Sequence, residues 1–105
     1  MVKRLRDAER GSAKYKKWRE SVLRRDGNRC RFGGCDKRDE LEVHHIQTFA
    51  DAEYRRYDVT NGITLCKYHH RNVVTGHEEQ YSAEFSRIVA NTQLNRKKKL
   101  DENNS

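Results

Sequence analysis

Apolar positions are sparse along this chain, and where they recur they keep definite periods. Tyr15, Trp18 and Val22 fall at i, i+3 and i+7, one face of a helix. Ser12 is placed to cap its start, and Lys14, Lys16, Lys17, Arg24 and Arg25 lie mostly elsewhere around it. Asp26-Gly27-Asn28 ends this helix, Gly27 being suited to the left-handed position just past a helix. Residues 41–46 (LEVHHI) alternate as a short strand. Ile63 and Leu65 mark a returning strand, so the two segments predict an antiparallel pair. Residues 47–60 between them are polar and irregular around Phe49, Tyr54 and Tyr57, which predicts a loop with one helical turn. A further helix is expected from Cys66 through His69, His70 and Val73 until Thr75 and Gly76 interrupt it. Thr75 with Glu78 resembles a capping box, opening a last helix that lines up Tyr81, Phe85, Ile88 and Val89 on one face. This gives an α+β domain over residues 12–95, with a basic arm at 1–11 and a frayed basic and polar tail at 96–105.

Composition alters that picture in two ways. With 105 residues, only 33% of them apolar, the core is thin, and so small a domain needs a staple. Its three cysteines, an odd number, favour zinc ligation in a reducing compartment over a closed disulfide set. Secondly, the net charge of +7 is uneven: residues 1–31 carry 12 Lys/Arg against 4 Asp/Glu, whereas residues 32–90 carry 7 against 10. Basic ends around a slightly acidic middle suggest a polyanionic partner, nucleic acid first, with a merely solubilising role as the alternative. The basic stretch has no lipid-facing apolar stripe. No run approaches the roughly 18 apolar residues of a membrane span, and no signal-peptide pattern is seen, so a soluble cytoplasmic protein is expected.

Two clusters of chemistry stand out. Cys30 and Cys35 bracket Gly33 and Gly34, which allow a tight turn, and Cys66-x-x-His69 sits at the mouth of a helix. Two ligand pairs separated by a strand hairpin are how small domains build a closed four-coordinate zinc site, and binding there contributes folding free energy. His70 points about 100° further round the helix than His69 and is left for other work. The second cluster is His44, His45, Asn61 and His70. Neighbours on a strand face opposite sides, so His44 and His45 cannot do the same job: one suits a metal, the other a proton. Phosphodiester hydrolysis needs an activated water and a cation. Imidazole serves as a base near neutral pH, paired imidazoles hold a divalent ion, and an Asn amide can orient the base.

The order His44-His45, Asn61, His70 resembles the HNH endonuclease motif, whose fold is a ββα-metal finger. The nine-residue step from Asn61 to His70, the interleaved cysteine pairs and the lead-in Arg25-Asp26-Gly27-Asn28-Arg29-Cys30 fit phage and bacterial members with a zinc knuckle. The resemblance covers roughly residues 15–90. It implies that His44 and His70 bind the catalytic divalent ion (Mg²⁺, Mn²⁺, Ni²⁺ or Zn²⁺), that His45 is the general base, and that Asn61 supports the hairpin and the base. It further implies structural Zn²⁺ on Cys30, Cys35, Cys66 and His69, flanking N- and C-terminal helices, and DNA as the substrate of a monomer working in a bacterial host cell. Phage or mobile-element proteins are partners of the same kind of inference. The chain departs from the commoner form in its C-x4-C spacing and in His69 replacing a cysteine. Two other classes compete: a catalytically silent zinc-finger module that binds nucleic acid, and a zinc-supported protein-interaction domain. Arg55, Arg56 and Arg71 flank the site and read equally as phosphate contacts or solvated surface. Glu78 and Glu79 suit a helix start, His77 is kept out of the metal set by Gly76, and Trp18 reads as core.

Overall fold

The computed structural model describes residues 11–48 and 53–103. Phe49 and residues 1–10 of the basic arm lie outside them. Helix α1 (Ala13–Arg25) starts where Ser12 accepts a hydrogen bond from the Tyr15 N–H, 3.1 Å. It ends in a Schellman turn: the Asn28 N–H bonds the Leu23 carbonyl and the Gly27 N–H bonds the Arg24 carbonyl. Gly27 and Asn28 both take positive φ there, 69° and 53°.

The centre is a hairpin of β1 (Leu41–His45) and β2 (Gly62–Cys66), paired antiparallel with His44 opposite Ile63 and His45 opposite Gly62. Period two then sorts the side chains. Glu42, His44, Ile63 and Leu65 share one face. Val43, His45, Gly62 and Thr64 share the other. Every residue of β2 is buried, because helices cover both faces. On the first face Ile63 and Leu65 join Val74, Phe85 and Val89 in the core. On the second, Trp18 and Val22 of α1 come so close to Gly62 that a Cβ there would lie 2.7 Å from each.

Arg25, expected among the basic residues around α1, is buried instead. Its guanidinium forms a two-point pair with Asp26 and donates to the Val59 and Gly62 carbonyls at 2.7 and 2.6 Å. Asp26 in turn accepts from the Thr64 N–H at 2.9 Å. A buried charge pair of this kind persists only when its remaining hydrogen-bonding capacity is met, and here it is met by the backbone of Val59, Gly62 and Thr64.

Among its described residues the loop between the strands holds two 3₁₀ turns, Glu53–Arg55 and Val59–Asn61, where one helical turn was expected. After β2, residues His69–Val74 wind as a π-helix. The Thr75 N–H reaches back five residues to the His70 carbonyl, and the Thr75 hydroxyl donates to that same oxygen. Thr75 is therefore spent on closing the π turn, and the capping box expected with Glu78 does not form. Glu78 accepts from the Gly76 N–H. The last helix, α2 (Glu78–Asn103), runs on through the lysine cluster where fraying was expected; this stretch consists largely of good helix formers.

Candidate functional site

The knuckle assembles as its spacing requires. Cys30 and Cys35 approach each other around Gly34, whose φ is 79°. The Arg31 N–H bonds the Thr64 carbonyl, tying this turn to β2 beside Cys66. The three sulfurs and one ring nitrogen of His69 all lie within 4.8 Å of one another. Cys35 Sγ is 4.0 Å from Cys66 Sγ, and His69 Nδ1 is 3.3 Å from Cys66 Sγ and 3.7 Å from Cys30 Sγ. Tetrahedral ligands at zinc distances sit about 3.5–3.8 Å apart, so this donor set can hold a metal such as zinc. Phe32 stacks on the His69 ring at 4.2 Å and fixes its plane. Burial pushes the Cys30 thiol up to about 11. At Cys66 burial acts the same way, but the His69 and Tyr68 N–H groups, together with bonds from the other two cysteines, bring it below the usual value. Packing three thiols this tightly is costly for their anionic forms without a cation among them.

On the adjoining face, His44 and His70 meet with ring centroids 5.3 Å apart. His44 is buried against Phe85, and its Nε2 has no hydrogen-bond partner. Burial, then the neighbouring His70, pushes its pKa down to about 4, so the ring is neutral and its nitrogen free to ligate. His70 Nδ1 lies 3.0 Å from Glu42 Oε1. A carboxylate only accepts, so in the neutral ring Nδ1 is the nitrogen that carries the proton and Nε2 the one with the lone pair. Arg71 grips the same carboxylate at 2.6 and 3.1 Å, and chiefly through this bond Glu42 is held below the usual carboxylate range. Two imidazoles bound to one ion place their centroids about 5 Å apart; the residues present fit a shared divalent ion.

His45 faces the other way. Its ring stacks on Trp18 at 4.0 Å with planes 11° apart. Its Nε2 lies 2.9 Å from the Arg56 carbonyl, and because a carbonyl cannot donate, Nε2 bears the proton and Nδ1 the lone pair. Burial lowers its pKa below 6.5 against the opposing effect of the Arg56 bond. Asn61, fully buried, accepts from the Gln47 N–H and donates to the Gln47 and Arg55 carbonyls. It thus fixes the peptide next to the one that holds His45. The hairpin brings the first cluster together as a set and His44 with His70 as a pair. It sets His45 on the opposite face and Asn61 beneath the loop.

A model of the HNH endonuclease family matches residues 30–72. This segment carries the HNH signature. It spans Cys30 through Asn72 and includes all eight residues of the two clusters. No curated protein and no solved structure matches the chain significantly. The α+β architecture, with its two-stranded sheet, flanking helices and Cys/His cluster, is compatible with a zinc knuckle in an HNH domain, and the family is one of nucleases. Among the described residues no helix is long and apolar enough to cross a membrane.

Sequence reasoning missed two residues that touch these histidines. Glu42 was legible: its i, i+2 relation to His44 puts it on the same face. Trp18 was read only as core, and nothing in its helical spacing announces a stack on His45. Of the flanking arginines, Arg71 is engaged by Glu42, and Arg55 by Gln47, Thr60 and Asp58.

Proposed function

We propose that this protein is a metal-dependent endonuclease that hydrolyses phosphodiester bonds in DNA. The observation that carries the reading is the division of labour at the end of β1. His45 keeps one lone pair on a ring held by Trp18 and Arg56, while His44, its Nε2 unpartnered, lies beside the His70 ring. Nδ1 of His45 takes a proton from water as its oxygen attacks phosphorus, and the bond to the 3′ oxygen breaks. A divalent ion on His44 and His70 would supply charge stabilisation for the phosphate oxygens and the leaving group. Asn61 holds the Arg55 carbonyl, and so the path of the loop against which His45 is oriented. The four residues of the knuckle are read as ligands of a structural zinc, which fixes His69 and hence the start of the π-helix carrying His70.

Nicking of supercoiled plasmid with Mg²⁺, Mn²⁺ or Ni²⁺ tests this, comparing the native chain with His45→Ala and His70→Ala. Cleavage that depends on added metal and drops at least a hundredfold in His45→Ala is expected. Undiminished cleavage by His45→Ala sinks the mechanism, and binding without any cleavage would mark a silent DNA-binding module instead.

A further inference from the structure

A recess of about 290 Å³, open to solvent, lies between the Schellman turn after α1 and the later part of α2. Arg29 and Arg31 enter it from the knuckle side, and Thr92, Asn95 and Arg96 line it from α2. None of these residues belongs to the histidine or cysteine clusters. The one carboxylate in its lining is Asp26, and that group is already committed. Its oxygens accept from Arg25 Nε and Nη2 and from the Thr64 N–H. Arg31 is left with a 3.9 Å approach to Asp26, although its side chain is only 18% exposed. Arg29 reaches outward to Asp36, an exposed partner. The recess therefore holds a partly desolvated guanidinium whose nearest carboxylate, 3.9 Å away, is shared with Arg25, and Arg29 and Arg96 flank it.

We infer that this recess binds a backbone phosphate of a nucleic-acid strand, at a distance from the bond being cut. Guanidinium groups match phosphate oxygens in geometry and shed water more readily than ammonium groups, and Arg31 has already lost much of its hydration. The Asn95 amide adds a neutral donor at the rim. An open recess admits a phosphate that stays attached to a polymer. The rigid Arg25–Asp26 pair forms its floor, and Arg25 also bonds the Val59 and Gly62 carbonyls on either side of Asn61. A strand gripped here is thus registered against the same short segment that supports the His45 loop. The inference rests on the proposed nuclease reading in taking nucleic acid as the occupant.

The test uses the full zinc-loaded chain in a His45→Ala background, titrated into a fluorescent DNA duplex at several salt concentrations. Arg31→Gln and Arg96→Gln should each weaken binding roughly five- to tenfold and reduce the slope of log K against log salt by about 1. Asn95→Glu should weaken it comparably without removing any arginine. Arg96 and Asn95 are exposed on α2, so these two variants carry the test if Arg31→Gln does not fold. Inorganic phosphate is titrated in parallel, followed by ³¹P resonance. Variants that bind duplex with unchanged affinity and slope overturn the inference. Phosphate binding that the variants lose while duplex affinity stays the same overturns the polymer occupant in favour of free phosphate. If the parent binds phosphate in the recess but no duplex at any salt, the nucleic-acid reading itself falls.

Discussion

The indole of Trp18 lies flat against the imidazole of His45, 4.0 Å between centroids and 11° from parallel. This contact makes the chain's single tryptophan a reporter on the residue proposed as the base. Burial lowers the His45 pKa below 6.5. The unfolded chain therefore holds this proton at pH values where the folded one has released it. The stabilisation is present above 6.5 and is lost as pH falls toward the folded value. Tryptophan emission should change with a midpoint below 6.5, and the acid limb of kcat/KM should share that midpoint, since only the neutral ring accepts a proton. A midpoint at or above 6.5 would contradict the burial of His45, and a transition that survives His45→Gln would assign it elsewhere.

Gly62→Ala should be costly beyond its size. The added methyl meets Trp18 and Val22 at 2.7 Å, so α1 must shift outward, at about 1–3 kcal/mol. Because Trp18 moves with α1, activity should fall more than the loss of folded protein explains. Denaturant melts and kcat measured on the same preparation separate the two effects.

Glu42→Gln removes the carboxylate that keeps the proton on His70 Nδ1. Loss of such an outer partner weakens metal affinity by roughly 10–100-fold. Calorimetric titration with Mn²⁺ or Ni²⁺ should show that loss, with the knuckle metal unaffected. Arg71→Ala should do much less, since this guanidinium is exposed and solvent screens its pairing with Glu42.

Removing the knuckle metal should unfold the domain. Native mass spectrometry is expected to find about one zinc per chain, and a strong chelator should abolish the cooperative melt, as should Cys66→Ser. A chain that stays folded and zinc-free would show that the four residues cluster for packing alone.

How much of this was legible follows from which interactions are local. The α1 caps at Ser12 and Gly27, the alternation of β1, and the knuckle spacing are written over a few neighbouring residues. The split of His44 from His45 follows from the period of a strand. The burial of Arg25 was not legible, because its partners Val59 and Gly62 are more than thirty residues away in sequence. Nor was the failed capping box. Thr75 had two acceptable uses within reach, and the carbonyl of His70 won because the widened π turn presents it.

His69 and His70 occupy consecutive Cα positions, about 3.8 Å apart, yet one ring faces the sulfurs and the other faces Glu42 and His44. A single peptide unit is thus the shared wall between the Cys/His cluster and the proposed catalytic ion site. Thermal play in the knuckle reaches His70 without any intervening spring, so the tightness of the first limits the aim of the second.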